Sequence, residues 1–75
     1  MKYFDWDTKK NEQLQEQRDI AFEDIVIAIE EGKILDITEH PNKKKYFNQK
    51  LFIVDIDEYA YIVPFVEDTE KIFLK

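Results

Sequence analysis

The stretch from Leu51 to Val66, LFIVDIDEYAYIVPFV, decides the fold. Leu51–Ile56 is apolar at every position but Asp55, and Tyr59–Val66 alternates, with one face made of Tyr59, Tyr61, Val63 and Phe65. Asp57 and Glu58 separate the two segments by only two residues, which predicts an antiparallel hairpin. Pro64 has no N–H to donate to a ladder, so a bulge or an unpaired position is expected there.

Two further strands extend this hairpin. Ile34–Thr38 has the two-residue period of a strand, and a polar loop from His40 to Gln49 separates it from the hairpin. Lys71–Lys75 is a short strand-like segment after an acidic turn. The links are too short for crossovers, so the sequence predicts an antiparallel meander of four strands. We expect Lys71–Lys75 to be an exposed edge, to be covered by a partner, or to continue into a longer chain.

The first half of the chain predicts two helices. Asp7 is a favourable N-cap for a polar helix over residues 8–18, whose main apolar residue is Leu14. The second helix has one apolar face, and Gly32 follows it where a left-handed cap belongs. That face consists of Phe22, Ile25, Val26 and Ile29. The predicted fold is α+β, with two N-terminal helices packed on the four-stranded sheet in a single domain over residues 1–75.

Composition excludes several classes of function. The 75 residues contain no cysteine, no serine, one histidine and one glycine, with a net charge of −6. A serine or cysteine nucleophile, a disulfide framework, a thiolate zinc site and a glycine-rich phosphate loop are therefore excluded. No apolar run is long enough for a membrane span or a signal peptide, which predicts a cytoplasmic protein. The acidic runs that could bind a divalent cation, Asp55/Asp57/Glu58 and Glu67/Asp68/Glu70, lie in turns and lack EF-hand spacing, so we expect no metal and no cofactor.

The loop after the second strand is basic in this acidic chain. Its lysines can bind RNA phosphates while Tyr46 and Phe47 stack on bases. Alternatively the lysines keep a solvated loop soluble, or the two aromatic residues fold back as a lid on the core. The lysines are Lys43, Lys44, Lys45 and Lys50.

Four other side chains have two interpretations each. His40, the only side chain that titrates near neutral pH when unperturbed, either acts as a general acid or base or simply opens the loop. Tyr59 and Tyr61 either present hydroxyls to a phosphate or pack across strands. Trp6 either holds the first helix against the sheet or contributes to a partner interface.

The N-terminal segments resemble a known family. Phe4-Asp5-Trp6-Asp7, followed by Lys9, is similar to the start of BrnT-type toxins of type II toxin–antitoxin pairs, and Arg18–Asp24 resembles the start of their second helix. The resemblance implies a RelE-like fold, RNA cleavage without a metal and neutralisation by a cognate antitoxin. It departs from the family at Asp19, where a glycine is usual, and at the acidic turn Glu67–Glu70, where arginines are expected. The family's closing Arg-containing motif has no counterpart before Lys75.

Two functions follow as hypotheses. In the first, the chain is a metal-independent RNA endonuclease toxin in which lysines stabilise the phosphate charge and His40 or a tyrosine moves the proton. Its catalytic residues are then His40, Lys50 and Tyr61, and its RNA-binding residues are Lys43, Lys44, Lys45 and Tyr46. In the second, the chain is a catalytically inactive interaction module of the same fold. This module binds an antitoxin protein or a second copy, with Trp6 and Phe73 in the interface.

Overall fold

The computed structural model describes residues 2–75 and contains two helices and one sheet. The predicted α+β class is confirmed. The elements are β1 (Tyr3–Trp6), α1 (Thr8–Arg18), α2 (Phe22–Glu30), β2 (Ile34–Glu39), β3 (Lys50–Ile56), β4 (Tyr59–Glu67) and β5 (Lys71–Leu74).

The sheet is mixed and has five strands in the order β1-β5-β4-β3-β2. Strands β2 to β5 form the predicted antiparallel meander, but β1 adds to its end in parallel with β5. Phe4 lies beside Ile72, and Trp6 lies beside Leu74. The sheet therefore has one strand more than predicted, and it is mixed rather than purely antiparallel. β5 is not an exposed edge, since the aromatic segment at the N-terminus pairs along it.

The core lies between the helices and one face of the sheet. Leu74 and Val54 are its most deeply buried side chains, and the Phe52 ring stacks on Phe65 with centroids 3.9 Å apart. Both helices contribute to this face, because partly buried Leu14 of α1 packs against the same cluster as α2. The buried apolar residues are Ile20, Phe22, Ile25, Ala28, Phe52, Val54, Val63, Phe65 and Leu74.

The two predicted helix caps, Asp7 before α1 and Gly32 after α2, are confirmed. The Asp7 carboxylate accepts hydrogen bonds from the backbone N–H groups of Lys9 (2.8 Å) and Lys10 (3.2 Å), so α1 begins where the sequence placed it. Gly32 has a φ of +79° after α2, and its N–H donates to the carbonyl of Ile29 while that of Lys33 donates to Ala28. These two bonds form a Schellman motif, which satisfies carbonyls at the end of the helix.

The start of α2 depends on a side chain from α1. Ala21, the N-cap, has no side-chain acceptor, and its own N–H donates to the Asp24 carboxylate at 3.0 Å. Asn11 takes the place of the missing cap, because its Oδ1 accepts from the Phe22 N–H at 2.8 Å. Its Nδ2 donates to Glu23 at 3.0 Å. Asn11 is also the buried polar residue of α1, so it fastens the two helices together.

Replacing Asn11 with alanine is expected to lower the free energy of unfolding by about 1–3 kcal/mol, because the buried Phe22 N–H loses its acceptor. Urea unfolding followed by circular dichroism measures this loss. Gln13→Ala, at an exposed position of the same helix, is the control and should stay within about 0.5 kcal/mol of the unsubstituted chain. Equal stability of the two variants would contradict the role of Asn11.

The β3–β4 hairpin has a continuous register from Lys50 opposite Phe65 to Ile56 opposite Tyr59. Asp57 and Glu58 both have positive φ, as a two-residue hairpin turn requires. Pro64 causes no bulge, since it lies opposite Leu51 within the unbroken register. Its carbonyl accepts from the Lys75 N–H at 2.8 Å, so its missing donor faces β5 rather than β3. The irregularity in the sheet lies instead on β2, between Ile34 and Asp36.

Neither of the helices in residues 2–75 is long and apolar enough to cross a membrane.

Candidate functional site

Part of the predicted RNA site is brought together by the loop between β2 and β3. Backbone hydrogen bonds close this loop, from the Tyr46 N–H to Asn42 (2.9 Å) and from the His40 N–H to Gln49 (3.3 Å). A small cleft of about 160 Å³ lies within it. Four predicted site residues line this cleft, namely His40, Lys43, Tyr46 and Lys50.

The imidazole of His40 stabilises the conformation of the loop. Its Nδ1 accepts a hydrogen bond from the Asn42 N–H at 3.0 Å, and its ring lies 4.3 Å from the Tyr46 ring. A neutral imidazole whose Nδ1 accepts carries its proton on Nε2. The other ring nitrogen, Nε2, is therefore a hydrogen-bond donor in this arrangement. It can donate a hydrogen bond to a phosphate, but it cannot remove a proton from a hydroxyl.

An acidic side chain reduces the positive charge of the cleft. Glu39 forms an ion pair with Lys43, four residues later in the chain, and lies opposite Lys50 in the β2–β3 ladder. The hydrogen bond from Lys43 and the charge of Lys43 hold the pKa of Glu39 below its ordinary value of 4.5, and Lys50 adds to the effect. Glu39 therefore stays ionised and neutralises Lys43. In the described residues, Lys44 and Lys45 form no ion pair, and Lys45 lies 5.3 Å from the centre of the Tyr46 ring.

Tyr61 lies away from this cleft. It pairs with Val54, whereas Lys50 pairs with Phe65 four residues further along β4. Four residues of strand span about 13 Å, so the Tyr61 hydroxyl and the loop lysines do not form one site. The proposed catalytic set of His40, Lys50 and Tyr61 is therefore divided between two places. Tyr59, two residues earlier, is largely exposed beside the hairpin turn.

The remaining aromatic candidates have separate environments. Trp6 is half-buried on the helix side of the sheet, and its ring stacks on Phe22 with centroids 6.0 Å apart. Phe73 lies on the opposite side of the sheet, 5.5 Å from the Lys71 ammonium and 5.3 Å from that of Lys75. Phe47 is 83% exposed, so the prediction that it folds back as a lid on the core is wrong.

The second face of the sheet is a surface that the sequence analysis did not assign. Because successive strand residues alternate between faces, the neighbours of the core residues point away from both helices. Within residues 2–75 this open face has no helical cover, and Ile62 is 63% exposed. We define the open face by its apolar members, which are Leu51, Ile53, Ile62, Pro64, Val66 and Phe73. The apolar residues on both faces of Leu51–Ile56 are consistent with this open face, but a strand that is buried on both faces has the same pattern.

A larger cleft, of about 550 Å³, lies where the two helices meet the first half of β4. Its lining consists of Leu14 and Arg18 of α1, Phe22 and Ile25 of α2, residues 59–64 of β4, and Lys75. Sequence analysis missed this cleft, because its lining residues come from elements that lie far apart in the sequence.

No group of three histidine or acidic side chains in residues 2–75 is placed to hold a metal ion. Comparison of the chain with known protein families, with curated proteins and with solved structures finds no match.

Proposed function

We propose that this chain is a protein-interaction module that associates with a second copy of itself through the open face. The observation that carries this proposal is the apolar character of that face. An antiparallel sheet with one solvated face normally has polar side chains there. Here apolar residues occupy adjacent positions on β3, β4 and β5, including the cross-strand pairs of Ile53 with Ile62 and of Val66 with Phe73.

The charges at the border of the open face favour a second copy as the occupant. Lys75 follows β5 at one side of the face, and Asp36 lies on β2 at the other side, two residues from the level of Lys75 along the strands. Lys71 is already paired with Asp5 of β1, at 3.6 Å. A two-fold axis parallel to the strands places the β5 side of one copy over the β2–β3 side of its partner. Lys75 of each copy then faces Asp36 of the other across an isologous interface.

The size of the open face predicts a weak dimer. Four strands at about 4.8 Å spacing and about five residues at 3.4 Å give a footprint of roughly 300 Å². Standard interfaces bury about 800 Å² of accessible surface on each partner, so we expect association at micromolar rather than nanomolar concentrations.

Sedimentation equilibrium of Ile53→Lys tests this proposal. Ile53 lies near the centre of the open face, so the substitution places two ammonium groups close together across the two-fold axis and removes apolar contact twice. We expect the dissociation constant to rise about 100-fold, since each copy loses about 1.4 kcal/mol. Ile27→Lys is the control, because Ile27 is 53% exposed on the outer surface of α2. A monomeric unsubstituted chain, or equal effects of the two lysines, would refute the dimer.

The second candidate is the RNA-cleaving toxin of the BrnT type with a RelE-like fold, neutralised by an antitoxin. It is supported by the N-terminal resemblance and by the convergence of His40, Lys43, Tyr46 and Lys50 on one cleft beside the exposed Phe47. The separation of Tyr61 and the occupied Nδ1 of His40 favour RNA binding over cleavage. In either case the toxin–antitoxin setting supplies a protein partner, which is consistent with an interaction module.

A further inference from the structure

Each of the two outermost strands in the sheet of residues 2–75 has an aspartate that accepts a hydrogen bond from the next residue of its own strand. In β2 the Ile37 N–H donates to Asp36 Oδ1 at 2.8 Å, and in β1 the Trp6 N–H donates to Asp5 Oδ1 at 2.8 Å. The other bonds from a backbone N–H to a carboxylate in the described residues reach two or three residues along the chain, at helix ends or in a turn. The arrangement is therefore particular to the edge strands.

In β2 the bonded N–H lies on the side of the strand that faces away from β3. The His40 N–H donates to the Gln49 carbonyl just before β3, and backbone groups of alternate residues point to the same side. Ile37 is an odd number of residues from His40, so its N–H points away from β3. This edge is bounded by α2 and by the loop after β2, and within residues 2–75 no further strand lies beside it.

β1 has the same arrangement in a parallel ladder. The Tyr3 N–H donates to the Glu70 carbonyl just before β5, at 3.2 Å, so Tyr3 and Asp5 face β5 and the Trp6 N–H points away from it. The second oxygen of Asp5 lies 3.6 Å from the Lys71 ammonium, which helps to hold the carboxylate at the edge.

β2 has the properties of a strand that other chains would join if its edge were open. Leu35 and Ile37 are both exposed, and Asp36 is the one charged residue among residues 34–38. Apolar strand segments of low charge pair readily with other chains at an unpaired edge. An added strand needs the Ile37 N–H for one of its own carbonyls, so it must first displace the carboxylate from a charge-assisted hydrogen bond.

We propose that the Asp36 carboxylate closes the β2 edge against the addition of a strand, and that Asp5 closes the β1 edge in the same way. The bond lies within one copy of the chain, so this inference does not rest on the open-face dimer. Without the bond, β2 of one copy is expected to pair antiparallel with β2 of a second copy, because a two-fold axis through Ile37 makes such an edge complementary to itself. With both edges closed, association through the open face ends at a dimer instead of continuing from sheet to sheet.

Asp36→Ala and Asp36→Asn are a matched pair for testing this proposal. Both remove the same charge and the same carboxylate that faces Lys75 in the open-face dimer, but asparagine keeps an acceptor oxygen in place of Oδ1. Amide hydrogen exchange in dilute samples, measured by NMR, should show the Ile37 N–H about tenfold better protected in the unsubstituted chain and in Asp36→Asn than in Asp36→Ala.

Sedimentation velocity of the same variants measures the consequence for assembly. At equal concentration, Asp36→Ala should have a higher average mass than Asp36→Asn. If the open-face dimer exists, the alanine variant forms species larger than dimers, and if that dimer is absent, it forms dimers where the asparagine variant is a monomer. The comparison therefore tests the closed edge whether or not the open face associates.

A second substitution shows whether the added association uses the backbone of β2. Ile37→Pro removes the N–H that an added strand needs and breaks no β2–β3 bond, since that N–H points away from β3. In the Asp36→Ala background it should return the mass to that of Asp36→Asn, whereas Ile37→Val, which keeps the N–H, should leave the association in place. Circular dichroism melting confirms that each variant is folded.

Three results would overturn the proposal. The first is an Ile37 N–H whose exchange does not depend on the residue at position 36. The second is equal association of Asp36→Ala and Asp36→Asn, which would mean that the bond does not guard the edge. The third is a folded proline variant that associates as strongly as the valine variant.

Discussion

Leu74→Ala is expected to lower the free energy of unfolding by about 2–5 kcal/mol, the range for a leucine removed from a well-packed core. Leu74 is 1% exposed and lies between Trp6 of β1 and Phe65 of β4. A chain of this size has a total stability of about 4–11 kcal/mol, so the substitution removes a large part of it. If β5 were an exposed edge strand, which is one of the three expectations from the sequence, the same change would cost little stability. Urea unfolding followed by circular dichroism measures the difference.

Leu35→Ala is the matched control for this prediction. It makes the same substitution at a 61% exposed position, beside the irregularity of the edge strand β2. We expect its stability to lie within about 0.5 kcal/mol of the unsubstituted chain. Similar losses for both variants would mean that Leu74 is not enclosed by β1 and β4.

Features determined by neighbouring residues could be predicted from the sequence. The N-cap at Asp7, the cap at Gly32 and the β3–β4 hairpin each depend on a few adjacent positions. The parallel strand β1 could not be predicted in this way, since its partner β5 follows more than 60 residues later and no turn joins them. An aromatic segment before a helix is equally typical of a strand and of residues that pack a helix end. The observed pairing of Tyr3–Trp6 with β5 shows that this segment is a strand.

In the candidate site, too, only residues that are close together in the sequence could be grouped correctly. The loop residues His40, Lys43, Tyr46 and Lys50 come together because they lie within eleven residues of chain. Tyr61 was grouped with them by residue type, and the hairpin register separates it. The cleft beside β4 depends on how the two helices pack against the sheet, which the pattern of neighbouring residues does not determine.

Removing Lys44, Lys45 and Lys50 together, each changed to alanine, is expected to weaken binding of single-stranded RNA about 100-fold at 0.1 M salt. Each cation that neutralises a phosphate on a single strand contributes a slope of about 0.7 to the dependence of log affinity on log salt concentration. Three lysines thus account for a slope of about 2. Anisotropy with a labelled uridine oligomer of about twelve nucleotides, titrated across salt concentrations, measures both the affinity and the slope.

Replacing Glu39 and Lys43 together with glutamine separates local charge from the shape of the cleft in this assay. The two side chains form an ion pair, so removing both leaves the net charge of the cleft unchanged and should change RNA affinity less than threefold, although both line the same cleft. The uridine oligomer should also remain uncleaved in excess chelator, because the free His40 nitrogen is a donor and Tyr61 is remote. Cleavage that survives chelator and is lost in the triple variant would instead support the nuclease, with Lys50 as its cation. An unchanged salt slope in the triple variant would mean that the loop lysines only keep this end of the sheet soluble.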